Sequence, residues 1–475
     1  MRRRDLLKAA GFGTASLLLG RQKSRAGTAR PKPNLVFVFA DQWRAEATGY
    51  AGNGDVRTPN LDQLGAEGIN FENAVSCCPV CSPYRASLLT GQYPLTHGVF
   101  LNDVLLKSEA VSIAEVYQRA GYRTGYIGKW HLDGNQRSAF IPRERRQGFE
   151  FWKVLGCTHA YNNSFYYGDE SVKLKWDGYD AIAQTREAQR YIRERAGDAP
   201  FILFLSWGPP HSPYETAPEK YRRLFKPEGI ALRANVPEAD RENARQALAG
   251  YYAHITALDD CIGDLRQTLR ETGIEEDTIF VFTSDHGDML YSHGGQNKQQ
   301  PWDESIRVPF LLRYPALLGR QGRTIDAPIN TPDIMPTLLG LSGIVIPKTV
   351  QGSDFSPVLT GKSPVPDNAA LICCPAPFGQ WTRAKGGREY RGVRTRRYTY
   401  VRDLKGPWLL FDNEKDPCQL ANLCNRPEHA GLQADLEALL AKKLRETNDE
   451  FLSGGDYIKK WDYQVDDSGT VSYTN

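Results

Sequence analysis

Short, wholly apolar runs alternate along this chain with stretches of helical periodicity. Leu35-Val36-Phe37-Val38-Phe39, Phe201-Ile202-Leu203-Phe204-Leu205 and Ile279-Phe280-Val281-Phe282 contain no polar position. That is the pattern of strands covered on both faces. Ser112 and Glu115 form a capping box that opens a helix, and Gly121 closes it. Residues from about 238 to 272 read as one long helix stopped by Gly273, and Thr331 to Leu341 as another. This alternation predicts an α/β fold: a large, mostly parallel mixed sheet flanked by helices on both faces.

Beyond Gly361 the texture changes. Ala370 to Cys373, Tyr390 to Val401 and Leu409 to Asp412 read as antiparallel strands, and a helix from about 431 to 446 can cover them. The expected organisation is a main domain over 33–360 and a smaller C-terminal α+β subdomain over 361–475, built on an antiparallel sheet. Residues 1–26 stand apart from both. Arg3-Arg4-Asp5-Leu6-Leu7-Lys8 precedes a short apolar run and then small residues up to Ala26. This is the pattern of a twin-arginine export signal, so the chain is expected to meet the twin-arginine machinery and to reach the periplasm or be secreted. The apolar run is too short for a transmembrane segment, and no later stretch is long enough.

Charge narrows the function classes. The chain carries +3, but residues 1–26 hold seven Lys/Arg against one Asp, so the remainder is −3. That gives no electrostatic footprint for nucleic acid. Residues 383–397 carry seven Lys/Arg against one Glu. The run can grip a sulfated polymer or be a solvated face, and the second reading is preferred. Nine cysteines without regular spacing do not form a disulfide framework.

Ligands of open α/β sheets bind beyond the carboxyl ends of the strands. Polar residues fall there four times. Asp41-Gln42 follows the first strand and offers two hard oxygen ligands. A short strand within 121–131 runs into Lys129 and His131, which alternation would point toward one face. His211 follows the run at 201–205 and lies between prolines. Asp285-His286 follows the run at 279–282, with Lys298 downstream. Asp285 and His286 can complete a divalent metal site with Asp41 and Gln42.

One further stretch organises these groups: Cys81-Ser82-Pro83-Tyr84-Arg85-Ala86-Ser87-Leu88-Leu89-Thr90-Gly91. Pro83 suits a first helical turn and Gly91 a helix end, so Cys81 sits at a helix mouth where an anion is favoured. Arg85 lies one turn on. A structural cysteine is the bland alternative. Cys78 and Cys81 also form half of a zinc motif, but no second C-x2-C pair exists.

The stretch resembles the signature of the type I sulfatases, C-x-P-x-R-x-x-x-x-T-G. Gly121 to His131 resembles that family's second signature, G-Y-x-T-x-x-x-G-K-W-H. The likeness runs from about residue 33 to 425. It implies an alkaline phosphatase-like fold and hydrolysis of a sulfate ester to alcohol and inorganic sulfate. Cys81 would be oxidised to formylglycine (3-oxoalanine) by a formylglycine-generating enzyme, and the hydrated aldehyde would attack sulfur. Asp41, Gln42, Cys81, Asp285 and His286 would hold one divalent metal, Ca2+ first, with Mg2+, Mn2+ or Zn2+ open. Arg85, Lys129 and Lys298 would stabilise charge, His211 would protonate the leaving alcohol, and His131 would act as base. Many members of the family carry Asp-Asp and Asp-Asn where this chain has Asp41-Gln42 and Asp285-His286, which leaves the metal's identity unsettled. Asn102 and His159 are candidate substrate contacts, and a sulfated carbohydrate or an aryl sulfate is the expected substrate. The alternatives are a phosphonate monoester or phosphodiester hydrolase of the same superfamily and a non-catalytic sulfated-glycan-binding protein.

Overall fold

The structure is a computed structural model that describes residues 31–107, 109–366 and 368–474. The export-signal segment, 1–26, lies outside the described residues. An eight-stranded mixed sheet forms the centre. Its order across the sheet is Arg323–Ile325, Ile69–Phe71, Phe310–Arg313, Thr278–Ser284, Asn34–Asp41, Phe201–Pro210, Arg123–Lys129 and Phe151–Leu155. The strand Asn34–Asp41 pairs in parallel with both neighbours, with Leu35 opposite Ile202 on one side and Ile279 on the other. Phe310–Arg313 is the antiparallel member.

The three apolar runs are therefore the three central strands. Along the first of them, Leu35, Phe37 and Phe39 enter the core on one face, and Val36, Val38 and Ala40 enter the core on the other. Helices on both sides leave no polar face, and each buried large side chain contributes ~1.5–3 kcal/mol. The long helix, Arg241–Glu271, closes one face together with Asp180–Arg195. The helix Ile113–Arg119 starts at the Ser112/Glu115 capping box, and Thr331–Leu341 is helical over its expected length.

A separate four-stranded antiparallel sheet comprises Ala369–Cys374, Tyr390–Thr395, Tyr398–Asp403 and Gly406–Asp412. The stretch from Tyr390 to Val401 is a hairpin, broken where Arg396-Arg397 turns the chain. The helix Ala430–Glu446 packs on this sheet through Leu436 and Leu440. The Cys373 amide also donates to the Cys77 carbonyl (2.8 Å), so this sheet runs up against the segment preceding Cys81. No helix among the described residues is long and apolar enough to cross a membrane.

Candidate active site

Four chain segments meet at the carboxyl ends of the central strands. The innermost is the helix Cys81–Thr90, all ten residues of which are buried. Val80 precedes it in an extended conformation, and Gly91 ends it at φ 66°. A side chain at Gly91 would also strike Val350 at 2.9 Å, so both backbone and space require glycine there. Cys81 thus lies at the positive end of the helix, beside amides that have no intrahelical partner. The Ser82 amide donates to Asn102 Oδ1 (3.0 Å), and the Ser82 hydroxyl donates to the His131 carbonyl (2.6 Å).

Arg85 is fixed from every side. Its guanidinium donates to the Lys129 carbonyl (2.8 Å), Ser206 Oγ (2.7 Å), Asp41 Oδ2 (3.3 Å) and Asp285 Oδ2 (3.1 Å). It lies 4.9 Å over the Phe39 ring. One side chain therefore ties together the ends of four strands and aims both carboxylates.

The carboxylates and their neighbours form the possible metal site. Asp41, Cys81, Asp285 and His286 each present a donor atom, and these atoms lie within 4.8 Å of one another. His286 Nδ1–H donates to the Gly287 carbonyl (2.9 Å), so in its neutral form the ring turns the Nε2 lone pair inward. That Nε2 is 3.3 Å from Cys81 Sγ and 3.6 Å from both Asp41 Oδ1 and Asp285 Oδ1. Ligands ~2.4 Å from one ion lie about 3.4 Å apart at right angles, so these donors fit a shared cation. The electrostatics agree. Burial alone would raise the Asp41 carboxyl, but Lys129, His211 and Lys298 outweigh it and hold Asp41 well below the usual range. Burial and the adjacent Asp41 push Asp285 up. Two buried carboxylates side by side are relieved by a divalent ion.

Gln42 sits at φ 70° beside this cluster. Its side-chain amide donates to Asp288 Oδ2 (2.8 Å), and its Oε1 accepts from Lys298 Nζ (3.3 Å).

Two lysines and two histidines surround residue 81. Lys129 Nζ is 2.5 Å from Asp41 Oδ2. Its position depends on Gly128, where a Cβ would meet the Ser206 carbonyl at 2.0 Å. Lys298 Nζ reaches Cys81 Sγ (3.1 Å) and His211 Nε2 (2.9 Å). His211 Nδ1–H donates to the Ser212 carbonyl (2.8 Å), leaving Nε2 to accept from the lysine. Burial and Lys298 hold the His211 imidazole well below its ordinary value. The His159 ring lies 4.5 Å from that of His211, and burial pushes it down to about 3. Burial and Asp41 would raise the Cys81 thiol, yet Lys129, Lys298 and His286 hold it well below the ordinary thiol range.

His131 departs from the expected geometry. The strand ends at Lys129, and His131 has φ 57° rather than an extended backbone. Its amide donates to the Gly156 carbonyl (2.8 Å), and its Nε2 contacts Asp103 Oδ1 (3.0 Å). Burial would lower this imidazole, but Cys157, Asp103 and Cys81 raise it to about 8. Gln42, Asp103, His131, Asn297 and Gln299 all have positive φ, and such conformations gather where a site over-determines its backbone.

All of the expected residues lie in or beside this pocket. Asn102 caps the Cys81 helix through its carbonyl oxygen, and His159 stacks against His211. Sequence reasoning offers Asp103 only as a hypothetical pocket-wall residue beside Asn102, and it assigns no role to Arg137, Ser206, Asp288 or Tyr214. Asp288 was within reach, three residues after Asp285, and Tyr214 donates to it. Arg137 sits in a loop with no local pattern, and it grips Asp103 through two hydrogen bonds of 2.8 and 2.7 Å.

Residues 33–344 match the family model described as Sulfatase, and residues 292–447 match one described as N-sulphoglucosamine sulphohydrolase, C-terminal. The chain is 48% identical over 439 residues to an ulvan-active sulfatase of Formosa agariphila, covering 91% of this chain and 85% of that one. It is 31% identical to an endo-4-O-sulfatase of Bacteroides thetaiotaomicron, covering 82% and 88%. A solved structure concerned with metabolism of multiple glycosaminoglycans by Bacteroides thetaiotaomicron superposes with a TM-score of 0.81 at 28% identity, covering 90% of this chain and 98% of that one.

Proposed function

The chain belongs to the sulfatase family, and on that premise we propose that it removes sulfate from a sulfated carbohydrate, with residue 81 as nucleophile. The observation that carries this reading is the convergence of Asp41, Asp285 and His286 with Lys129 and Lys298 on Cys81. We read Cys81 Sγ as standing in for the oxygens of a hydrated formylglycine made from this cysteine by a formylglycine-generating enzyme. The aldehyde hydrate supplies two hydroxyls on one carbon, so sulfate can leave without water attacking a hindered sulfur.

Asp41, Gln42, Asp285 and His286 would hold a divalent ion, Ca2+ first because three of the four offer oxygen. When bound, the ion supplies Lewis-acid stabilisation of the attacking and sulfate oxygens. Arg85 keeps both carboxylates aimed. Lys129 and Lys298 bind sulfate oxygens and spread the charge that develops on them. The Lys298–His211 pair shares a proton along its 2.9 Å contact and passes it to the departing alcohol. His131 takes the proton of the second hydroxyl at residue 81. Residues 33–360 supply all of these groups, and we propose 361–475 as a supporting subdomain. The twin-arginine pattern of residues 1–26 supports export to the periplasm or beyond, where polymeric sulfated carbohydrate is met.

Inorganic sulfate release tests the reading. Purified protein should desulfate oligosaccharides from sulfated polysaccharides, ulvan being the first to try because the Formosa agariphila relative acts on it. It should also turn over an aryl sulfate faster than the matched aryl phosphonate. A large preference for the phosphonate would make it a phosphonate hydrolase on the same fold. Binding of sulfated glycans with no turnover would make it a binding protein.

A further inference from the structure

His131 is held by a chain of contacts that ends at the far C-terminus. Asp103 is buried and kept at about 2, since the Arg137 and His131 hydrogen bonds overcome its burial. An ionised carboxylate only accepts, so His131 Nε2 carries the hydrogen directed at Asp103. His131 Nδ1 then holds the lone pair of the neutral ring, and it has no hydrogen-bond partner among the described residues. Arg137 forks onto both oxygens of Asp103, Nε to Oδ1 and a terminal nitrogen to Oδ2. The Arg137 guanidinium lies 3.3 Å from the centre of the Tyr473 ring. The Arg137 amide donates to the Thr474 carbonyl (2.9 Å), and the Thr474 amide donates to the Asn135 carbonyl (2.9 Å). Asn135 in turn donates its side-chain amide to the Ser472 carbonyl (3.1 Å). Upstream, Tyr463 donates to the Gly98 carbonyl (2.8 Å), which anchors this tail near the Cys81 helix.

We propose that Arg137 is a positioning residue for His131, and that residues 472–474 lock it in place. The inference rests on the sulfatase reading only in giving His131 its role as base. A carboxylate alone can rotate about its own bond, but two fork contacts fix its plane and hence the imidazole it faces. His131 and Asp103 both occupy left-handed backbone conformations, so neither is held by regular secondary structure. Their orientation depends on these side-chain contacts. The arrangement fixes one tautomer of the base, as a carboxylate does for a catalytic histidine in other hydrolases.

Steady-state kinetics of Arg137→Ala and Tyr473→Ala in the full chain test this. Arg137→Ala should lower kcat by roughly 10- to 100-fold with KM little changed. Added guanidinium should restore part of the loss. Tyr473→Ala should cause a smaller fall in the same direction. The nitrogen-15 spectrum of the histidine rings, recorded above the His131 titration near 8 so that the ring is neutral, gives a readout independent of turnover: His131 should be the Nε2–H tautomer in the parent, and Arg137→Ala should move that signal. A raised KM with kcat kept would make Arg137 a substrate contact and overturn the proposal. Unchanged kcat in both variants, or an unmoved His131 signal, would do the same. If Arg137→Ala does not fold, Tyr473→Ala decides alone, because its ring is 43% exposed and its loss leaves the core intact. A parent protein without sulfatase turnover would defeat the functional reading, while the histidine signal would still decide this one.

Discussion

Around residue 81, Arg85, Lys129 and Lys298 crowd against two carboxylates, Asp41 and Asp285, at the tips of the central strands. Between residues 383 and 397 the chain packs six arginines and a lysine into fifteen positions, and there each arginine is paired with an acid. Arg383 pairs with Glu389, Arg388 with Asp403, Arg391 with Asp449, Arg394 with Asp303, Arg396 with Asp326 and Arg397 with Asp412. The second region is the more basic in sequence, yet its arginines are spoken for. It is not a purely solvated face, since Arg391 and Arg394 are buried. The pocket around residue 81 is different because its cations share too few acids. With a divalent ion added it holds a surplus of positive charge, which a sulfate ester neutralises. Shared, buried charge marks the site; matched pairs mark scaffold.

That contrast can be broken at its strongest point first. Cys81→Ala should lower sulfate release by ~10^4-fold or more while leaving the thermal midpoint intact or raised. Stripping the divalent ion with a chelator comes next: turnover should fall by about 100-fold or more, the thermal midpoint should drop, and Ca2+ should restore both. Elemental analysis of the protein as purified identifies the ion. In the matched region the outcome reverses. Arg394→Ala removes a two-bond fork from the buried Asp303, leaving it Arg307 at 3.3 Å, and should cost ~1.5–3 kcal/mol in denaturant unfolding, with kcat of the folded fraction retained.

A buried carboxylate on the helix Asp180–Arg195 supplies a pH signature. Asp180 is buried beside Gln184 with one carboxylate oxygen unpartnered, and burial raises its carboxyl from 3.8 to about 7. The folded chain holds a proton that the unfolded chain releases, so stability present at low pH is lost as pH climbs toward 7. Asp180→Asn removes that loss. Melting curves should show the variant gaining on the parent between pH 4.5 and 7.5, by several degrees. The smallest effect belongs to Arg396, whose pair with Asp326 is exposed. Arg396→Ala should shift stability by less than ~1 kcal/mol and leave KM for a sulfated polymer unchanged.

Much of this was legible in the sequence because the relevant signals are local. Three uninterrupted apolar runs became the three central strands, since only strands buried on both faces tolerate them. The Cys81 helix, its proline and its closing glycine lie within eleven residues. What escaped notice is non-local. Asp303 and Arg394 are 91 positions apart, and no spacing rule connects them. Asp103 and Arg137 are 34 apart in loops without periodicity. His131 was placed on one face with Lys129 by strand alternation, but the strand stops at Lys129, and a hydrogen bond to Gly156 turns the next residues out of it. The role of Tyr473 at the end of the chain carried no sequence signal at all.

The central claim is that residue 81 is the reacting group, made so by its surroundings. Mass spectrometry of the peptide containing it, from protein produced with a formylglycine-generating enzyme and active on a sulfate ester, tests that claim most directly. The account predicts a peptide that has lost sulfur and two hydrogens and gained one oxygen, in proportion to specific activity. An unmodified thiol in fully active protein would contradict it.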